Sequence, residues 1–364
     1  MRKILLTIVA IAALHQQGTA QGCVAIRSNG GTCTMMDPHH EEGSHPSMAG
    51  WTFGINTRYF RSYKHFVGTE EQKQRVALGT EVINHAFSTE LGLTRTINER
   101  WSFGFFAPVI SNTRSSLYEH DGKNRNTTRS FGLGDIRVAA YYWLLDPAKA
   151  SKGNIQLGVG MKLATGDYRY LDYFYKNDSV KVLGPVDQSI QLGDGGTGIT
   201  GELNALYHLS RRWSAYANAY YLSNQREHNG VSTARGGGAS AASIAYTSDV
   251  MSVPDQYMFR IGANYSVRNI MFSAGVRKEC VPVHDLWGGS KGFRRPGYVV
   301  SVEPVVAYRM GHAQLYMSVP YALERNRTQS VPDKIRTQKT GVYAQGDAAF
   351  ADYSVNVGVS FSFR

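Results

Sequence analysis

An all-β fold, a transmembrane antiparallel up-and-down β-barrel of about 12 strands, follows from three patterns in this chain. Segments of roughly ten residues alternate apolar with small or polar side chains, as spanning strands do. Ile155, Leu157, Val159, Met161 and Leu163 hold odd positions, while Gln156, Gly158, Gly160, Lys162 and Ala164 hold the even ones. Such a strand has one greasy and one wet face, because successive side chains point to opposite sides. The joins between segments alternate strictly between short and long, and aromatic residues on the apolar parity fall at two heights.

Residues 1–20 read as a leader outside the fold. Arg2 and Lys3 precede an apolar run from Ile4 to Leu14, and Gly18, Thr19 and Ala20 offer small residues for cleavage. The mature chain is expected to begin at Gln21, and Gln21-Gly22 makes a poor lipobox ahead of Cys23. Residues 21–49 form a periplasmic segment or a plug folded into the lumen. There Cys23 and Cys33 flank the turn-forming Ser28-Asn29-Gly30-Gly31, so a disulfide is sterically easy in an oxidising compartment. The segment also gathers Met35, Met36, His39, His40, His45 and Met48. His39, His40 and His45 are weak metal candidates, since no spacing among them matches a defined site. No cofactor is expected.

The barrel occupies residues 50–364. Its strands are expected at Gly50 to Ser62, Val82 to Ile97, Trp101 to Ser111, Gly132 to Leu145, Asn154 to Thr165 and Thr197 to Leu209. They continue at Trp213 to Ser223, Gln256 to Val267, Ile270 to Cys280, Gly297 to Met310, Ala313 to Glu324 and Ala348 to Phe363. An even count suits a bacterial single-chain barrel. Asn98-Glu99-Arg100, the DPAKASKG stretch, Ser210-Arg211-Arg212, Arg268-Asn269 and Gly311-His312 are the tight joins. Tyr63 to Glu81, Asn112 to Phe131, Gly166 to Gly196, Asn224 to Asp255, Val281 to Pro296 and Arg325 to Asp347 are the long ones. Outer-membrane barrels pair short periplasmic turns with long extracellular loops, which puts both termini in the periplasm.

After the leader no run reaches the roughly eighteen apolar residues that a membrane-spanning helix needs. A soluble sandwich also alternates, but it has no reason to sort its joins by end or to set aromatics at two levels. Trp51, Trp101, Tyr142, Tyr207, Trp213, Tyr265 and Tyr308 lie toward the short turns. Tyr59, Phe87, Tyr221, Tyr257, Tyr298, Tyr321 and Tyr353 lie toward the long loops. Two lipid interfaces select such girdles. Phe361 and Phe363 resemble the aromatic C-terminal signal read by the barrel assembly machinery, although Arg364 ends the chain.

The opposite parity collects Arg58, Glu90, Asp135, Arg137, Lys162, Glu202, Arg260, Arg277, Glu279, Glu303, Arg309 and Glu324, with Asn204, His208, Asn218 and Asn264. Midplane lipid would cost an Arg or Lys roughly 2–4 kcal/mol, so this parity faces water. Arg58, Glu90, Asp135, Arg137, Lys162, Glu202, Arg260, Arg277, Glu303 and Arg309 are the candidate constriction. Mixed charges either line a solvated path for a small solute or pair across the lumen and close it.

The loop after the fifth strand contains GDYRYLDYFYKND, which packs Tyr168, Tyr170, Tyr173, Phe174 and Tyr175 together. These rings either capture an apolar ligand or cover the rim. Further on, GDGGTG lacks the lysine and the helix of a phosphate loop and reads as flexible loop. His228, in REHNGVS, has no Ser in register beside it, so a lipid hydrolase finds little support and no enzyme is expected. The formal charge of +11 includes Arg2 and Lys3, and much of the rest lies in loops. For an exported barrel this balance fits outer-membrane lipid and lipopolysaccharide rather than nucleic acid.

The stretch GLGDIRVAAYYWLLDPAKASKGNIQLGVGMKLATGDY, from Gly132 to Tyr168, combines a Gly134-Asp135 strand start, a short Gly-bearing turn and a Gly-alternating strand closing in Leu163-Ala164-Thr165-Gly166-Asp167. It resembles the outer-membrane family named for the meta pathway of phenol degradation, and covers only a small part of the chain. The resemblance implies a channel for hydrophobic or aromatic compounds, similar in role to the long-chain fatty-acid transporters. The expected function is therefore an outer-membrane channel or porin-like uptake protein for a small-molecule solute. The alternative is a plugged structural barrel that binds lipopolysaccharide or a partner protein.

Overall fold

A computed structural model describes residues 49–363. The expected leader, residues 21–48 with Cys23, Cys33, His39, His40 and His45, and Arg364 lie outside the described residues. Within them alternation becomes a ladder. Its first half is β1 (Gly50–Val67), β2 (Ile83–Thr96), β3 (Trp101–Ser116), β4 (Asn126–Leu133 and Arg137–Trp143), β5 (Gly153–Lys162) and β6 (Gly198–His208). The second half is β7 (Trp213–Asn224), β8 (Gln256–Val267), β9 (Ile270–Val281), β10 (Gly297–Met310), β11 (Ala313–Ser318 and Tyr321–Arg327) and β12 (Ala348–Phe363). Each strand pairs antiparallel with the next, and β12 returns to β1 from Trp51↔Phe363 to Phe66↔Ala348. The protein is a closed antiparallel barrel of 12 strands.

Several strands run past their expected ends on the loop side: β1 reaches Val67, β3 reaches Ser116 and β4 begins at Asn126. In the added stretch, residues 112–116 pair with 126–130, and both faces are polar. Beyond the lipid neither face needs apolar side chains, so pairing continues where alternation stops. β4 breaks at residues 134–136, where Gly134 donates to the Pro108 carbonyl at 2.7 Å and Ile136 donates to Thr165 Oγ1 at 2.8 Å. β11 breaks before Pro320, which has no N–H to give the ladder. Past that break β11 meets β12 in register only at Tyr321↔Tyr353.

Just above, Ala322 pairs with Ser301 but Glu324 pairs with Val300, so Leu323 forms a bulge. This one-residue slip turns Glu324 out of the lumen, against its expected parity. Its carboxylate instead accepts a hydrogen bond from Tyr298 on the exposed outer face.

The outer surface carries both girdles. Trp101 packs on Tyr142 and Trp213 on Tyr265 near the short turns, each pair 4.8 Å between ring centroids. Near the long loops Tyr221 stacks on Tyr257 at 5.9 Å, and Tyr59 is the register partner of Phe87. On β1 the outward run from Trp51 to Tyr59 rises about 21 Å for a strand tilted about 40°, most of the height of an apolar band. Ile261 lies midway between Tyr257 and Tyr265 on β8 and is 65% exposed. Ile261→Arg is expected to weaken the barrel in lipid vesicles by about 2 kcal/mol, read from a urea titration. An unchanged midpoint would mean that Ile261 does not face hydrocarbon.

Among the described residues three α-helices decorate the loops: α1 (Lys73–Ala77), α2 (Ala241–Ala245) and α3 (Val331–Thr340). The basic RNRTQSVPDKIRTQK stretch contains α3, which starts at a reciprocal Ser330–Asp333 capping box and stops at Gly341, whose φ is +70°.

Candidate channel lumen and its mouth

Pleat and register deliver the inward side chains in three groups. In the first, Arg58 of β1 meets Arg260 of β8, Arg277 and Glu279 of β9, and Glu303 of β10, all buried among one another. Arg58 and Glu279 form a two-point fork with both N···O distances at 3.0 Å. On that side β10, β11 and β12 stand between their strands, so the fork ties separated walls across the lumen. Arg277 donates to Glu279 at 2.9 Å and to Glu303 at 3.3 Å, while Arg260 stands 3.9 Å from Glu303.

In the second group Arg137 of β4 pairs with Glu202 of β6, and Tyr141 Oη donates to the same carboxylate at 3.2 Å. The Arg137 guanidinium lies 4.1 Å from the Phe106 ring centre, and Glu90 of β2 interacts electrostatically with Arg137 and Glu202. In the third, Lys162 of β5 pairs with Asp194 of the following loop and with Asp135 at 3.5 Å. Neutral amides extend the wet surface: Asn204 donates to Gln156 at 3.3 Å and Asn218 to Asn204 at 2.9 Å. Nine of the ten expected constriction residues therefore join these groups. Arg309 is half-buried near the short-turn end of β10, six residues beyond Glu303.

The glycine-rich stretch after β5, expected to be flexible, is fixed and buried. Asp135 Oδ1 accepts the Gly166 N–H at 3.0 Å, and Oδ2 accepts the Asp194 N–H at 3.2 Å. A Cβ on Gly193 would lie 2.6 Å from both Asp135 Oδ1 and the Gly166 carbonyl oxygen, so only glycine fits this seat. Ile190 and Leu192 are buried, and Asp187 accepts a fork from Arg295 at 2.6 and 2.8 Å with Arg114 at 3.5 Å. Burial pushes the Asp187 carboxyl up, but Arg114 and Arg295 outweigh it and hold it well below the usual range. Asp285 takes a matching fork from Arg294 at 2.7 and 2.6 Å.

Beneath this loop, and above the Arg58 fork, lies a cavity of about 100 Å³. Phe60, Ala86, Ile110, Pro254 and Val281 supply apolar wall, while Gln188, Gln191, Asp194, Gln256 and Arg294 supply polar groups. None of the five loop aromatics belongs to this lining. Tyr168 lies between Arg169 and Arg226, whose guanidiniums stand 4.9 and 5.9 Å from its ring centre, and the Tyr170 N–H donates to Gln191. Phe174 is fully buried against His120, at 5.4 Å between ring centroids. Tyr173 and Tyr175 keep exposed rings.

Sequence reasoning missed Asp187, Asp194, Arg294 and Arg295, because loop residues have no parity, and Arg114, because β3 was expected to end at Ser111. The available signal was Ile190 and Leu192, two alternating apolar side chains just before the glycine-rich stretch.

At the loop end of β1, Asp347 Oδ2 accepts from Arg75 at 2.7 Å and lies 3.0 Å from His65 Nδ1, while His65 Nε2 accepts the Val82 N–H at 2.8 Å. Burial raises the Asp347 carboxyl, but His65 and Arg75 outweigh it and bring it down to about 2. Because the folded value lies below the unfolded one, the clamp contributes fully above about pH 4 and is lost as pH falls through about 2. The protection of amides in residues 68–82, relative to their intrinsic exchange at each pH, is expected to fall between those pH values in the wild type. In Asp347→Asn it should already be low and nearly flat over that range. The same pH response in both proteins would contradict the clamp.

No protein-family model matches the chain, and no curated sequence does. Among solved structures, an outer-membrane channel from Pseudomonas putida F1 superposes with TM-score 0.58 at 12% identity, covering 89% of this chain and 99% of that one. The translocator domain of the autotransporter NalP from Neisseria meningitidis gives 0.43 at 12% identity, covering 88% and 90%. The toluene transporter TbuX from Ralstonia pickettii gives 0.40 at 10%, covering 87% and 90%. Only the first score bears on architecture, and it bears on architecture alone: the fold is that of an outer-membrane barrel.

Proposed function

We propose that this protein is an outer-membrane channel through which small, largely apolar or aromatic molecules diffuse passively. The observation that carries the reading is the vestibule: a cavity of about 100 Å³ with apolar and polar walls at the loop end, directly above a polar, ion-paired lumen. A solute meets the exposed rings of Tyr173 and Tyr175, sheds water against Phe60, Ile110 and Val281, and passes the Arg58–Glu279 and Arg137–Glu202 pairs. Those pairs narrow the path, so the channel selects small solutes rather than acting as a wide sieve. In this orientation the long loops are extracellular and the short turns periplasmic.

The fork across the lumen favours a second reading, a closed barrel whose loops bind lipopolysaccharide or a partner. Uptake of a radiolabelled small aromatic solute by intact cells with and without the protein separates the two. Cells that hold the protein are expected to accumulate the aromatic solute faster, and a polyol of equal size much less so. Equal accumulation with and without the protein would overturn the channel reading in favour of the closed barrel.

A further inference from the structure

On the outer wall, away from the lumen, Arg61 of β1, His85 of β2, Thr113 of β3 and Arg129 of β4 are successive register partners. They share the lipid-facing parity, and Arg61, His85 and Arg129 are exposed. The row immediately below them is Tyr59, Phe87, Ser111 and Phe131, part of the loop-side girdle. Two residues along a tilted strand rise about 5 Å, so the cations stand just above the edge of the apolar band. Four adjacent strands cover about 14 Å of wall.

The row is braced: Arg61 stacks on Tyr63 at 4.4 Å, and Tyr59 Oη is hydrogen-bonded to His85 Nδ1 at 2.8 Å. Among the described residues neither Arg61 nor Arg129 forms an ion pair. The nearby carboxylates are engaged: Glu81 pairs with Arg125 at 3.2 Å, and Asp172 accepts the Arg129 backbone N–H at 2.7 Å. On the opposite wall a single Lys278 lies over Tyr298, whose hydroxyl binds Glu324. Two guanidiniums outside any ion pair thus lie close together on β1 to β4 at headgroup height. A guanidinium offers the planar fork that matches a phosphate, and a threonine hydroxyl adds a donor.

We propose that the Arg61–His85–Thr113–Arg129 row binds the phosphates of a phosphorylated glycolipid of the lipopolysaccharide type in the outer leaflet. The proposal rests on the orientation in the channel reading, not on conduction. Binding is measured on the detergent-solubilised full chain with diphosphoryl lipid A, its dephosphorylated form, and inorganic phosphate as competitor. Arg61→Gln/Arg129→Gln is expected to weaken diphosphoryl lipid A binding about thirty-fold, the ordinary contribution of two headgroup-level cations. Lys278→Gln on the far wall should leave binding unchanged, dephosphorylated lipid should bind weakly, and millimolar phosphate should not compete. Heat-modifiable gel mobility checks that each variant is folded. Equal affinity of wild type and the folded double variant, equal loss in Lys278→Gln, or full displacement by inorganic phosphate would overturn the proposal. A protein that binds lipid yet fails to transport solute would refute the channel and leave this site standing.

Discussion

Glu279→Ala is expected to be the most damaging single substitution in the lumen, costing about 3–5 kcal/mol because it strands buried charge. Glu279 holds Arg58 and Arg277 at once, and its loss takes that carboxylate from both guanidiniums. Arg58→Ala should cost less, since Glu279 keeps Arg277. When Arg58→Ala and Glu279→Ala are combined, neither half of the fork remains unpaired, so the cost should fall short of the sum by about 0.5–3 kcal/mol. Urea titration of the four proteins in vesicles measures this coupling. Strict additivity would mean that no bond crosses the lumen.

The second large effect is expected at Asp135, whose carboxylate accepts the Gly166 and Asp194 N–H groups and lies 3.5 Å from Lys162. Asp135→Ala leaves those donors unmet and should cost about 3 kcal/mol, spent on unseating the loop rather than on the strands. Amide exchange in residues 186–197 should lose its protection while the strand amides keep theirs. Asp135→Asn should fall between, because its carbonyl still accepts one bond but carries no charge for Lys162. Unchanged protection in Asp135→Ala would show that the loop is held elsewhere.

How much of this was legible in advance depends on whether a residue sits inside or outside the lipid. Between the girdles each side chain must choose lipid or water, so alternation put Arg58, Glu90, Arg137, Glu202, Arg260 and Glu303 on the inward parity, where the structure buries them. Glu324 was misassigned because parity counts residues, and the bulge at Leu323 adds one without any marker in composition. Strand ends were read short because the paired residues 112–116 and 126–130 have no apolar face to keep. The inward loop was illegible for the opposite reason: glycines that read as freedom are there to admit close backbone contact, as at Gly193. Which charge meets which also escaped the sequence, since Arg58 and Glu279 are 221 residues apart and become partners only when the barrel closes.

Single-channel recording in planar bilayers tests for a water-accessible path narrowed by the ion pairs within it. Wild-type protein is expected to give small, discrete conductance steps, and the folded Arg58→Ser/Glu279→Ser variant several-fold larger ones. Silence from both folded proteins, or identical steps from both, would contradict the account.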